Sequence, residues 1–260
     1  MVHKAIHFDG CGAAFAYTVG FCVYLDHRFK NDETMHYTGV SSGAWIATAK
    51  VLDIPLEECI NLAIELQDRV RNRKLGLIGE FKGLLREYYE KLCPKNTNYK
   101  TVNRIHIRIT ESNFRTYFIN NFHSRGDLIE CLLASQHIPF LLDYKPYASF
   151  RGSPCFDGQW VKQKTRVQCP EYFEVTPLPK NPFKQKFSPW KAVTVKSQDE
   201  IEKLLNMGYD TARQNHFELL NLGFVETDAG RSLKTFVNRI QQPKAADDTN
   251  KGIIIQEKAA

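Results

Sequence analysis

Residues 37–45 read YTGVSSGAW, two serines set between two glycines. Gly-x-Ser-x-Gly fits in one frame only, Gly39-Val40-Ser41-Ser42-Gly43, with Ser41 at its centre. A serine on a sharp strand-to-helix turn is held clear of its neighbours, and small flanking residues let an acyl carbonyl approach it closely. The competing reading is structural, with Ser41 or Ser42 as the N-cap of a helix. A nucleophile also needs a base and a place for the negative charge that develops on the carbonyl oxygen.

The second feature is FDGCGAAF at residues 8–15, a Gly-x-Gly turn between a strand-like and a helix-like run. Backbone N–H groups at such a turn and at a helix start can point at one anion. A nucleotide loop or a plain tight turn would look similar. Phe15 stands where the last glycine of GxGxxG would fall, and GxxxxGK[ST] is absent, so dinucleotide binding fits poorly.

Candidate bases are less evident among the eight histidines, none of which lies in a glycine- or proline-bounded loop. His137, before Ile138-Pro139, and His216, in a helical run, come nearest. Asp157 differs, because Pro154-Cys155-Phe156-Asp157-Gly158 sets a carboxylate at a loop turn after an apolar run. It could take a proton from Ser41 directly if its surroundings raise its proton affinity. A surface Asp-Gly turn is the bland alternative, and Asp9, in a second Phe-Asp-Gly triplet, is the rival carboxylate.

The elements around these residues have a consistent grammar. Residues 3–8 predict a strand and AAFAYTVGFCVYLDHRF a helix; MHYT and AWIATAKVL repeat the unit across the serine turn. Strands feeding helices through glycine turns indicate parallel βαβ units and an α/β sandwich. LEECINLAIELQDRVRNRK and residues 76–92 carry apolar side chains at helical spacing. Alternation in RIHIRI and FRTYFI predicts a half-buried strand pair, residues 126–135 a helix, and the segment from Pro139 to the Asp157 region a loop. EYFEVTPL reads as a further strand. The run SQDEIEKLLNMGYDTARQNHFELLNLG opens with Ser197 and Glu200 at capping-box spacing, so one helix is expected there. Without repeats or a convincing linker, residues 1–242 read as one domain and 243–260 as a flexible polar tail.

Composition bounds the function. With 260 residues, 43% of them apolar, the chain can bury a sizeable core. A net charge of +6 is mild, suiting phosphate-rich surfaces while falling short of a nucleic-acid binder. Seven scattered cysteines with no CxxC pair argue against structural zinc and for a reducing compartment. No calcium-loop motif is visible, and no metal or other cofactor is expected. There is no signal-peptide h-region and no long apolar span, so a cytoplasmic protein attaching peripherally to membranes is expected. PFKQKFSPWK at residues 182–191 and the basic run Arg69, Arg71, Arg73, Lys74 suit an anionic lipid surface, or are ordinary solvated surface.

Taken together, these residues resemble the patatin-like phospholipase family, whose members use a Ser-Asp dyad with no catalytic histidine. The motifs occur in the family's order: the Gly10-Cys11-Gly12 loop, the elbow GVSSG, then Asp157-Gly158. Gly-Cys-Gly followed by AAFAYTVG, with Tyr17 and Gly20, is most similar to the animal triglyceride-lipase and adiponutrin branch. ASQHIP at 134–139 and MGYDTA at 207–212 are similar to two further family segments. The resemblance spans about residues 3–220. It implies a three-layer α/β/α sandwich with a central, mostly parallel sheet. It implies catalysis by Ser41 and Asp157, with an oxyanion site from Gly10, Cys11, Gly12, Ala13 and Ser42. Ser41 attacks, while Ser42 opens the helix and lends its N–H. The activity implied is lipid ester hydrolysis of phospholipase A or lysophospholipase type. A triacylglycerol lipase or an inactive lipid- or protein-binding scaffold is the alternative. The chain departs from the plant-type loop DGGGxRG at Ala14 and Phe15, and has Gln159-Trp160 after Asp157-Gly158 where Gly or Ala is usual.

Overall fold

The computed structural model describes residues 2–159, 167, 169–176, 194–227 and 233–241. Within them, seven strands form one mixed sheet, parallel at its centre and flanked by helices, which is the α/β arrangement expected. Strand β1 (Lys4–Phe8) pairs in parallel with β2 (His36–Val40) on one side and β7 (Glu171–Val175) on the other. Next to β2, also parallel, runs β3 (Ile105–Glu111). Three antiparallel strands complete the sheet: β4 (Thr116–Ile119) on β3, and the hairpin of β5 (Ala148–Phe150) and β6 (Ser153–Asp157), with β6 also on β3.

One detail of register positions the site. Ile107 of β3 faces Gly39 of β2 on one edge and Ile119 of β4 on the other. Two residues on, Ile109 faces Tyr117 of β4 and Asp157 of β6. Strands β2 and β6 therefore share one edge of β3 in succession. Where β2 leaves that edge at Val40, opposite Arg108, β6 ends on it at Asp157.

The helices are α1 (Ala16–Arg28), α2 (Ser42–Val51), α3 (Leu56–Val70), α4 (Phe81–Leu92), α5 (Arg125–Ser135), α6 (Gln198–Gln214), α7 (His216–Asn221) and α8 (Leu233–Gln241). A 3₁₀ turn, Gly12–Ala14, precedes α1. Helix α2, rich in Ala and almost wholly buried, packs on β1, β2 and β3. Helix α4 starts later than its periodicity suggests, because Gly76 and Gly79 take left-handed φ of 53° and 81° and break the chain there. The capping box at Ser197 and Glu200 is present, but the long run splits into α6 and α7 at Asn215. The expected loop before Asp157 is instead the β5–β6 hairpin, stabilised by main-chain pairing that its Pro-, Gly- and Ser-containing sequence conceals.

Helices α1 and α6 cross at a pair of glycines. A Cβ on Gly208 would lie 1.8 Å from the Tyr17 carbonyl oxygen, and one on Gly20 would lie 2.0 Å from that of Leu205. Each glycine accepts the other helix's backbone, so Gly20 and the Gly208 of MGYDTA are two halves of one contact. The tail 243–260, Trp160 and the lysine–aromatic stretch 182–191 lie outside the described residues.

Candidate active site

Gly39 and Gly43 frame a turn in which Ser41 takes φ 54° and ψ −131°, a backbone region costing of order 1–3 kcal/mol for a residue with a side chain. The turn is tight because α2 starts against the end of β1: a Cβ on Gly43 would lie 2.1 Å from the Phe8 carbonyl oxygen. Ser41 stands at the N-cap position, but its side chain makes no capping hydrogen bond. The structural alternative for Ser41 is thereby removed.

The strained backbone has a specific restraint. The Ser41 N–H donates to the Ser135 hydroxyl oxygen at 3.0 Å, and that hydroxyl donates to the Arg108 carbonyl at 2.8 Å. Ser135, at the end of α5 and fully buried, thus ties the elbow to β3. The next turn holds the carboxylate: Asp157 N–H donates to the His137 carbonyl at 2.8 Å, and Gly158 N–H to the Ser135 carbonyl at 3.3 Å. One short segment, 135–137, restrains both Ser41 and Asp157. Arg108 adds a bond from its Nε to the Gly158 carbonyl at 2.7 Å. Arg108 lay hidden in the alternation of RIHIRI, and Ser135 was visible only as part of ASQHIP.

Ser41 and Asp157 are brought together, close enough that the Ser41 hydroxyl favours the ionised form of the Asp157 carboxylate. Both are buried, at 7% and 5% exposure. Burial pushes the Asp157 carboxyl up to about 6, against the opposing effects of the Gln159 N–H at 2.8 Å, the Ser41 hydroxyl and the charge of Arg108. Asp9 behaves in the opposite way. Burial raises it, but hydrogen bonds from His7 and Thr176 and the charge of Arg108 outweigh burial and hold it below the usual carboxylate range. Asp9 therefore has the properties of a structural carboxylate.

The glycine loop lies across the elbow. A Cβ on Gly10 would meet the Ser41 Cβ at 2.5 Å, so the loop passes directly over the serine. The Cys11 N–H donates to the Ser42 hydroxyl oxygen at 2.9 Å, with the Cys11 sulfur 3.5 Å from the same oxygen. This N–H is already spent, a difference from the expectation that it faces the substrate. Gly12 takes φ 54°, and the N–H groups of Gly12 and Ala13 have no acceptor among the described residues. The Cys11 thiol is pushed up to about 11, chiefly by burial, and is inert as a nucleophile at neutral pH.

The histidines are elsewhere. The Tyr24 hydroxyl bonds His216 Nδ1 at 2.9 Å, and His216 Nε2 meets Glu226 at 3.0 Å, between α1 and α7. His137 is buried with its Nε2 on the Lys145 carbonyl at 3.1 Å, so it serves the site through its backbone. Among the described residues, no group of three His, Cys, Asp or Glu side chains could hold a metal ion.

A groove opens at Ser41, Ser42, Gly12 and Ala13 and runs between α2, α3 and α4. Its walls include Trp45, Leu66, Leu77, Phe81, Leu85 and Ile138. Polar groups along it are satisfied internally: Trp45 Nε1 donates to the Tyr88 hydroxyl at 2.9 Å, which donates to the Cys59 carbonyl at 2.9 Å. The wall offered to a ligand is hydrocarbon, suited to an apolar chain. No helix among the described residues is long and apolar enough to cross a membrane.

Residues 6–162 match the family model described as Patatin-like phospholipase. The chain is 28% identical over 166 residues to patatin-like phospholipase domain-containing protein 4 of Homo sapiens, covering 61% of this chain and 65% of that one. It is 27% identical over 160 residues to 1-acylglycerol-3-phosphate O-acyltransferase Pnpla3 of Mus musculus, covering 59% and 38%. The chain thus spans less than two thirds of the length of either relative. Among solved structures it is similar to VipD from Legionella pneumophila, with a TM-score of 0.47 and 10% identity over 88% of this chain and 68% of that one.

Proposed function

This chain belongs to the patatin-like phospholipase family, and on that premise we propose that it is a lipid acyl hydrolase working through Ser41 and Asp157. The observation that carries the reading is the strained Ser41 elbow held, through segment 135–137, beside the buried Asp157 carboxylate, whose pKa is raised to about 6. Ser41 Oγ attacks the ester carbonyl carbon while its proton passes to Asp157. The carbonyl oxygen becomes an oxyanion, met by the N–H groups of Gly12, Ala13 and Ser42 around the Gly10 turn. Cys11 contributes by fixing the loop through Ser42 Oγ rather than by donating to the oxyanion. The intermediate collapses, the C–O bond to the alcohol breaks, and Asp157 returns its proton to the leaving oxygen. Water, deprotonated by the same carboxylate, then releases the fatty acid from the acyl-serine.

The hydrocarbon groove beside Ser41 supports a long acyl chain as substrate, hence a phospholipase A or lysophospholipase activity at membrane surfaces. The name of the mouse relative carries an acyl transfer to a lysolipid alcohol, and the same acyl-serine would serve if that alcohol replaced water.

The test uses wild type, Ser41→Ala, Asp157→Asn and His216→Ala with phospholipid and with short p-nitrophenyl esters. Loss in the first two variants and retention in the third is expected. Activity lost on His216→Ala alone would point to a Ser-His enzyme. No activity in any protein would favour a lipid-binding scaffold.

A further inference from the structure

Two surface segments, 71–80 and 138–147, lie against each other beside the groove. Gly79 N–H donates to the Leu141 carbonyl at 2.9 Å, Lys82 N–H to the Leu142 carbonyl at 3.3 Å, and the Tyr144 hydroxyl to the Ile78 carbonyl at 3.4 Å. From these segments, Leu77 and Ile138 turn inward and line the groove. Leu75, Phe140, Tyr144 and Tyr147 turn outward, 56%, 63%, 59% and 49% exposed. They are four of the seven large hydrophobic side chains most exposed among the described residues, so apolar exposure concentrates beside the groove.

Backbone strain singles out the same place. Phe140 and Tyr144 both take left-handed φ, 64° and 59°. That costs of order 1–2 kcal/mol per residue with a side chain, where Gly or Asn would cost less. Tyr144 keeps the bond to the Ile78 carbonyl, whereas Phe140, 63% exposed, buries little of its ring in the folded chain to offset the strain.

The charge around them is basic. The two segments carry Arg71, Arg73, Lys74 and Lys145 against Glu80 and Asp143. Arg71 is paired with Asp68 and Arg73 with Glu80, whereas exposed Lys74 and Lys145 have no acidic partner among the described residues. Amphipathic aromatics ringed by uncompensated lysines match the headgroup region of an anionic bilayer, where the ring is buried and the ammonium meets phosphate.

We propose that segments 71–80 and 138–147 form the surface by which the protein docks on anionic membranes. Leu75, Phe140, Tyr144 and Tyr147 enter the interface and Lys74 and Lys145 hold the headgroups. Continuity of this face with the groove, through Leu77 and Ile138, gives an acyl chain an apolar path from bilayer to Ser41. That last step rests on the hydrolase reading; the docking itself does not.

The experiment separates the two. Ser41→Ala protein, which cannot consume the lipid, is sedimented with phosphatidylcholine vesicles with or without about one third phosphatidylserine. Asparagine tolerates left-handed φ, so Leu75→Asn/Phe140→Asn is the apolar variant, and Lys74→Glu/Lys145→Glu the charge variant. The apolar variant is expected to lower the partition coefficient on anionic vesicles at least about tenfold, in line with loss of two buried side chains. The charge variant lowers it on anionic vesicles and leaves weak binding to neutral ones unchanged. With Ser41 restored, both variants hydrolyse a soluble short-chain ester at the wild-type rate. Undiminished vesicle binding by either variant overturns the proposal. So does absence of vesicle binding by the parent, including the case in which the face proves to be a dimer contact and Phe140→Asn yields a monomer. If the Ser41→Ala protein binds vesicles but the wild-type protein leaves the soluble ester intact, the hydrolase reading alone is overturned.

Discussion

Asp157 sits opposite Ile109 on the edge of β3 that β2 vacates after Val40, so it closes the gap into which Ser41 turns. The contact is a consequence of sheet register: a parallel strand ends and an antiparallel one arrives from the opposite direction on the same edge. Ser135 and His137 then lock both ends, through the Ser41 N–H and the Asp157 N–H.

The pH dependence of Asp157 follows from its burial. In the proposed mechanism it is the base and must be ionised, so kcat/KM on a soluble ester should rise with pH along a limb centred near its pKa of about 6. Stability runs the other way. The folded chain holds the proton more tightly than an unfolded one, whose carboxyl titrates near 3.8, so the stabilising protonated form is present below that value and is lost as pH rises through about 6. Asp157→Asn should therefore be inactive yet more stable at pH 8 by up to about 3 kcal/mol, with the difference vanishing near pH 4. Denaturant melts of both proteins at the two pH values check this.

Ser135→Ala leaves the buried Ser41 N–H without its acceptor and the Arg108 carbonyl without one donor. A loss of about 1–3 kcal/mol in stability is expected. Because the freed backbone carries the proposed nucleophile, kcat should fall by at least about tenfold while KM changes little. Ser135→Thr, which keeps the hydroxyl, should restore kcat more than it restores stability. Steady-state kinetics with equilibrium unfolding of the three proteins decides whether Ser135 positions Ser41 or merely fills space.

Gly10→Ala places a methyl 2.5 Å from the Ser41 Cβ and 2.7 Å from Gln159 Oε1. The loop must lift off the elbow, taking the Gly12 and Ala13 N–H groups with it. The expected loss in kcat is about 10²–10³-fold, the scale of one oxyanion donor. Ser42→Ala should cost less, since it frees the Cys11 N–H without forcing the loop away.

Gly208→Ala tests packing remote from the chemistry. The added Cβ meets the Tyr17 carbonyl oxygen at 1.8 Å, so α1 and α6 must separate. Destabilisation of about 1–3 kcal/mol is expected from overpacking, with kcat at a permissive temperature close to wild type. A thermal melt and an ester assay on the same sample would show it.

Ala63 lines the groove on α3. Ala63→Phe fills part of the hydrocarbon path, and activity on long-chain esters should fall relative to short-chain ones. The ratio of kcat/KM for C4 and C16 p-nitrophenyl esters is the measurement, and an unchanged ratio would show that the acyl chain does not lie along α3.

Local chemistry was legible wherever one stretch of chain determines it. The Gly-x-Ser-x-Gly turn, the capping box at Ser197, the parallel order of the first strands and the strand pair after Arg104 depend on neighbours in sequence. The β5–β6 hairpin was not legible: Pro146, Pro154 and the Gly152 turn suppress the strand pattern, and pairing with β3 supplies what local preference lacks. The break at Asn215 and the late start of α4 were missed for the same reason, since periodicity continues across both while the backbone does not.

By itself, the sequence determined which side chains could react, because Ser41 between glycines and Asp157 before a glycine are properties of short segments. It also carried the resemblance that ordered them. Tertiary structure alone decided that Asp157 loses water and gains proton affinity, that the Cys11 N–H is spent on Ser42, and that Ser135 and Arg108 support the pair. The physical reason is that desolvation and hydrogen-bond partnership belong to what surrounds a residue in space, and the groups around Asp157 arrive from β2, β3 and α5, distant in the chain.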